Sequence, residues 1–316
     1  MRADPGCILP ECLQELTAGY RSRFSVGGVS VEMHGSESAD VALVSSLEPF
    51  RVEAGVSDIS IRVERVSHLS PPLGRGLFNS GSTWELHEGD AEFQFDFNAV
   101  IFGDRPFKRL LIDSCFRTAT LQMNDDCLAR YPQRVEPLGY PLDELLIMHR
   151  LTQEKAIELH SCGIVRPDGS GNLFVGHSGA GKSTTTRLWT AQQDVHILSD
   201  DRIIVRRNLD RTQVKQGGTR MYGTPWHGEA MYASPGSAPL SRIFILEHGE
   251  GNIVTRLSPS QAVAELFARS FVPFHRHEYV DSALEFLQEL IGAVPVYHYA
   301  FEPNEAAVER ILKFCD

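Results

Sequence analysis

The run Gly176-His177-Ser178-Gly179-Ala180-Gly181-Lys182-Ser183-Thr184 constrains this chain more than any other stretch. It fits G-x-x-x-x-G-K-[ST], the pattern of a phosphate-cradling P-loop. The residue types follow from the task. Glycines let successive backbone N–H groups turn inward on an anion where a side chain would block them. Lys182 has the reach for β- and γ-phosphate oxygens, and the Ser183 hydroxyl suits Mg²⁺. A helix starting at Lys182–Ser183 adds the positive end of its dipole. The motif needs a strand before it and a helix after it. Residues 172–175 read as a short buried strand, and 182–193 carry a helical pattern.

The approach to the loop is unusual. Residues 156–165 read as a strand, and the turn Pro167-Asp168-Gly169-Ser170-Gly171 sends the chain back along itself. A P-loop strand entered through a hairpin differs from the common parallel arrangement, in which neighbouring strands arrive by helical crossovers. Beyond the helix, residues 195–198 form a strand with Asp200 and Asp201 at its end, and 203–205 form another. Two carboxylates one helix beyond a P-loop suit phosphoryl transfer, one serving the metal and the other accepting a proton.

The rest of the chain divides in two. Residues 1–135 carry short strand-like runs at 24–33, 58–64, 84–87, 91–97, 109–112 and 118–122, and a helical stretch at 8–18. Their spacing predicts an antiparallel meander or curved sheet. Phe93, Phe95 and Phe97 share one face of their strand and are expected in a core. Nothing here has catalytic spacing, so 1–135 is expected to be a β-rich accessory or partner-binding domain. Residues 136–316 form the second domain, with helices at 141–151, 261–269, 279–292 and 304–314 and a strand at 295–301. Ala233 to Leu240, rich in Pro, Gly and Ser, reads as a loop.

Composition excludes some classes. The net charge of −11 argues against a nucleic-acid-binding protein. No apolar run is long enough for a membrane span. The six cysteines, at 7, 12, 115, 127, 162 and 315, form neither C-x-x-C nor a zinc pattern. Met1-Arg2-Ala3-Asp4-Pro5-Gly6 lacks the apolar core of a signal peptide. The expectation is a cytoplasmic protein with reduced thiols. A homo-oligomer is compatible with the sequence.

Taken together, Leu159-His160-Ser161-Cys162-Gly163, the 176–184 loop and Leu198-Ser199-Asp200-Asp201 resemble the catalytic domain of the HPr kinase/phosphorylase family, whose pattern is a His-Gly strand, a hairpin, the P-loop, one helix and Ala-Asp-Asp. The similarity covers residues 155–250. It implies an α/β P-loop kinase domain of the HPr kinase/phosphoenolpyruvate carboxykinase type, with a mixed sheet, preceded by the β-rich domain. It implies ATP and Mg²⁺ as cofactors and a serine of a protein or peptide as acceptor. By the resemblance, Asp201 takes the proton from the acceptor, His160 is an active-site histidine, Lys182 binds phosphate, and Ser183 and Asp200 hold the metal. Residues 176–184 as a whole would bind the nucleotide. Tyr222-Gly223-Thr224-Pro225-Trp226-His227-Gly228-Glu229 and the long N-terminal part look like a divergent branch that includes kinases of lasso-peptide precursors.

Departures limit the carry-over. The family's Glu-Ile-Arg-Gly-Leu-Gly signature is missing, which leaves Glu229 as the candidate for the family's metal-binding glutamate. A loop arginine tied to the reverse phosphorylase reaction falls near Ala238. Loss of the phosphorylase activity is therefore expected. A small-molecule hydroxyl kinase and a non-catalytic nucleotide-binding regulatory subunit remain as alternatives.

Overall fold

A computed structural model describes residues 19–103, 105–131, 134–207 and 218–315. The helix expected at 8–18, with Cys7 and Cys12, lies outside the described residues. The chain is mixed α/β with a strong β character, and it divides into two compact units. One comprises the described part of Met1–Phe24 with Ser30–Val44 and Arg51–Asp143; the other comprises Ser25–Val29, Ser45–Phe50 and the described part of Glu144–Asp316. Among the described residues no helix is long and apolar enough to cross a membrane.

Eight strands make up the first sheet: β1 (Tyr20–Val26), β2 (Val29–Gly35), β3 (Ile59–Val66), β4 (Arg75–Asn79), β5 (Trp84–Glu88), β6 (Glu92–Phe97), β7 (Lys108–Asp113) and β8 (Thr118–Asn124), followed by a short helix α1 (Asp125–Leu128); all belong to the first unit except Ser25 and Val26 of β1 and Val29 of β2. The stretch 24–33 is a hairpin rather than one strand, because Gly27 and Gly28 take left-handed φ values of 59° and 77° at its centre. The sheet order is β1-β2-β3-β8-β7-β6-β5-β4. The meander expectation holds from β4 to β8, where each neighbour is antiparallel. It fails at β3, which runs parallel to both β2 and β8. Parallel neighbours need long connections, and the segments between these strands supply them. Phe93, Phe95 and Phe97 are buried as expected, and Phe116 stacks on Phe93 at 5.4 Å. The opposite face of β6 is also covered, with Asp96 held by Arg109 at 2.6 and 2.8 Å.

The second unit contains α2 (Leu142–Leu151), whose first two residues belong to the first, then β9 (Ala156–Val165), β10 (Gly171–Val175), α3 (Lys182–Thr190), β11 (His196–Ser199), β12 (Arg202–Arg207), β13 (Thr219–Gly223) and β14 (Ser237–His248). It continues through β15 (Ile253–Arg256), α4 (Pro259–Phe267), β16 (Ser270–Phe271), α5 (His277–Ala293), β17 (Val296–Phe301) and α6 (Glu305–Leu312). The path β10-β9-β12-β13-β14 closes on itself, because β14 also pairs with β10, in parallel. Length makes this closure feasible. The first residues of β14 pair with β13, and its later residues pair with β10 and β17.

β14 corrects the loop expected over 233–240, since Ala238 and Leu240 are buried strand residues. Helices cover two separate cores. Ala262, Leu266, Phe286, Leu287 and Leu290 of α4 and α5 pack on one set of strand side chains. Trp189 of α3 and Val308 and Ile311 of α6 pack on the other, around Phe174 and Phe244.

Candidate active site

The hairpin of β9 and β10 is antiparallel, with Phe174 opposite Cys162 and Val175 opposite Ser161. β10 then ends, and the Gly176 N–H donates to the His160 carbonyl at 3.0 Å. The loop that follows is tightly formed. Gly179 and Gly181 have φ of 80° and 101°. A Cβ on Gly181 would lie 2.4 Å from the Phe301 ring, so a larger residue has no room there. A Cβ on Gly176 would come within 2.7 Å of Ala180. Gly181 is also the N-cap of α3, so no side chain caps the first amides of that helix. A helix start of this kind suits an anion. His177, Ser178 and Gly179 are exposed, while Ser183 and Thr184 are half-buried in the first turn.

Lys182 is 5% exposed. Its ammonium donates to the carbonyls of Gly176 at 3.0 Å and His177 at 3.2 Å, and lies 3.6 Å from Asp201 Oδ1. Burial lowers its pKa, against the opposing pull of the Asp201 charge.

β11 and β12 run along the other side of β9. β11 faces residues 163–165 and β12 faces 156–160. Asp200 and Asp201 occupy the break between them, and the Ser161 N–H donates to the Asp201 carbonyl at 2.9 Å. The two breaks in the strands beside β9 therefore fall on either side of His160 and Ser161, one leading into the loop and one carrying the acidic pair. This register brings His160, Lys182 and Asp201 together. His160 Nε2 is 3.0 Å from Asp201 Oδ1, and because an ionised carboxylate only accepts, Nε2 carries the hydrogen. Asp201 is 25% exposed. Burial pushes its carboxyl up, but the hydrogen bond and charge of His160, with Lys182 and Arg202, outweigh burial and hold it at about 2.

Asp200 does something different. It is 0% exposed, and its oxygens accept from the N–H groups of Gly228 at 2.9 Å, Ala230 at 2.7 Å and Tyr232 at 3.2 Å. A buried carboxylate already holding three donors has little capacity left for a hydrated Mg²⁺ ion. The expected metal set of Ser183, Asp200 and Glu229 is thus divided. Ser183 lies in the turn after the loop, Asp200 anchors the 228–232 segment, and Glu229 is exposed within that segment. Among the described residues no group of three or more His, Cys, Asp or Glu could hold a metal ion.

In the Gly223-Thr224-Pro225-Trp226 segment, Trp226 is buried and the Thr224 hydroxyl donates to the Arg202 carbonyl at 2.8 Å. It is a packed turn, and the exposed residues follow it, notably Met231, with φ of 62°. Sequence reasoning missed Arg202, Glu144 and Glu158, which cluster behind Asp201. The available signal was Glu158 itself, a charge inside an otherwise buried strand.

No protein-family model matches the chain, and no curated protein matches it.

Proposed function

We propose that this protein is an ATP- and Mg²⁺-dependent kinase of the HPr kinase type that phosphorylates a hydroxyl, with a serine of a protein or peptide as acceptor. One observation carries the reading. A buried P-loop lysine and a half-buried carboxylate stand 3.6 Å apart, with a histidine fixing the same carboxylate oxygen. That combination provides a phosphate ligand beside a proton acceptor. The hairpin entry to the loop and the mixed sheet support the kinase domain type.

In this reading the loop amides and Lys182 bind the β- and γ-phosphates of ATP and stabilise charge on the transferred group. The acceptor oxygen bonds to the γ-phosphorus as the bond to the ADP oxygen breaks, and the hydroxyl proton passes to Asp201. A carboxylate held at about 2 is a weak base. Phosphate that draws Lys182 away from Asp201 removes one of the charges depressing it and makes it a better acceptor. His160 keeps Asp201 Oδ1 in place. Ser183 is the residue that fits Mg²⁺, which would neutralise phosphate charge when bound with ATP. Asp200 holds the 228–232 segment.

The low pKa of Asp201 favours one alternative, a nucleotide-binding regulatory subunit without turnover. The deciding experiment incubates purified protein with Mg²⁺ and γ-labelled ATP in a protein extract, beside Asp201→Asn. Label on a serine with the wild type and not the variant supports the kinase. Nucleotide binding with no transfer by either protein favours the regulatory subunit, and absence of nucleotide binding overturns both.

A further inference from the structure

Arg202 opens β12 directly opposite His160 in the β9–β12 ladder. These cross-strand partners divide the Asp201 carboxylate between them: His160 meets Oδ1 at 3.0 Å, and Arg202 Nε donates to Oδ2 at 3.2 Å. The far side of the guanidinium is held as well. Nη1 pairs with Glu144 Oε1 of α2 and lies 3.5 Å from Glu158 Oε1 of β9. Its plane rests on the Phe271 ring of β16, 3.7 Å from the centroid, and the same ring meets His160 edge-on at 5.9 Å. Arg202 has little freedom to turn, so Asp201 has little either.

Two carboxyl groups stand behind Asp201 against the one guanidinium. Glu158 is fully buried, and burial together with Glu144 raises its pKa well above the ordinary range. A raised pKa favours the neutral form of Glu158, which eases the burial of a carboxyl beside Glu144 and the guanidinium. Buried ionic clusters of this kind are seldom more stable than well-packed apolar residues of the same volume. Stability alone is therefore a poor reason to have one, whereas its location against Asp201 offers a better one.

We infer that Arg202, clamped by the Glu144–Glu158 pair and stacked on Phe271, is a positioning residue that fixes the orientation of the Asp201 carboxylate for proton acceptance. The inference rests on the kinase reading for its activity test, and on geometry alone for a second test. Planarity is the reason for arginine: Nε and Nη1 serve opposite partners at once, which a lysine ammonium cannot do with the same fixed angles.

The activity test compares wild type, Arg202→Lys and Glu144→Ala in labelled-phosphate transfer, with nucleotide affinity measured separately. Arg202→Lys is expected to lower kcat about 10²-fold, the scale for a misplaced reacting group, with KM for ATP and nucleotide affinity unchanged. Glu144→Ala is expected to lower kcat in the same selective way. Retained kcat in both variants overturns the inference. So does a parallel fall of kcat and nucleotide affinity, which marks a merely structural role.

The second test is ¹⁵N NMR of the Arg202 Nε–H. In the wild type this proton is expected to exchange slowly and to shift in Asp201→Asn. If the wild type transfers no phosphate to any acceptor, the kinase reading fails, and this signal still decides whether Arg202 holds Asp201. An Nε–H exchanging as fast as those of exposed arginines overturns the inference whatever the activity.

Discussion

His160 and Asp201 meet at 3.0 Å although 41 residues separate them, and the contact follows from strand register. His160 is the residue of β9 at which β10 gives way to the loop, and Asp201 stands where β11 gives way to β12 on the other side. His160 therefore touches the 176–184 loop through its backbone carbonyl and Asp201 through its imidazole. Removing its hydrogen while keeping its shape would separate orientation from packing. His160→Gln retains one amide donor and is expected to lower phosphate transfer about 10-fold. His160→Phe is expected to approach the defect of Asp201→Asn, on the order of 10²–10⁴-fold for loss of a general base. Steady-state transfer rates with nucleotide affinity held as a control check the order.

The two left-handed glycines of the loop should respond differently. Gly179 and Gly181 both have φ that L residues resist, a cost of about 1–2 kcal/mol for a β-carbon. Around Gly179 a Cβ would meet open space, whereas at Gly181 it would sit 2.4 Å from Phe301. Gly181→Ala is expected to lose nucleotide affinity at least 10-fold, through displacement of the loop or of Phe301, and Gly179→Ala markedly less. Titration of each variant with a fluorescent ATP analogue tests the contrast. Equal losses would show that backbone conformation alone sets the affinity.

The loop, its hairpin entry and the acidic pair were legible because each is a local pattern: a motif, an alternating run, a turn rich in Gly and Asp. Features set by distant pairing were not. β14 begins within a stretch containing Pro235, Gly236 and Pro239, whose composition reads as loop, and it is a strand because β13, β10 and β17 line up along it. The same limit hid the parallel placement of β3. At the site, spacing alone did not distinguish Asp200 from Asp201, and the resemblance assigned the proton to Asp201 and the metal to Asp200. Their separation depends on three amides that arrive 28 to 32 residues later, and no side-chain pattern announces a backbone donor. Arg202 went unread for a related reason, since its partners come from α2 and β9.

Asp200 provides a direct test of that division of roles. Its carboxylate collects three N–H groups from the 228–232 segment, so Asp200→Asn replaces one acceptor oxygen by a donor facing other donors. Each buried hydrogen bond to a charged group contributes about 1.5–3 kcal/mol. The variant is expected to lose on the order of 3 kcal/mol of stability and to become sensitive to proteolysis near Met231. Added Mg²⁺ should not restore it. Limited digestion followed by mass spectrometry, with and without Mg²⁺ and ATP, reads the outcome. A variant as resistant as wild type but weakened in Mg²⁺ dependence would instead make Asp200 a metal ligand.

His149 supplies a pH dependence away from the site. It lies fully buried in α2, its Nδ1 2.7 Å from the Leu145 carbonyl and its ring 5.2 Å from that of His275. Burial, helped by the charge of His275 and opposed by the Leu145 hydrogen bond, pushes its pKa down from 6.5 to about 3. Between those values the unfolded chain binds the proton and the folded chain does not. The stability associated with a neutral His149 is therefore complete above about pH 6.5 and is lost as pH falls toward 3. At 1.36 kcal/mol per unit, the loss reaches about 2 kcal/mol by pH 5. His149→Phe removes the titrating group while keeping a ring in the space. Urea unfolding at pH 7 and pH 5 should show the wild type losing that much more stability than the variant over the same interval. Equal losses would mean that His149 is protonated without unfolding.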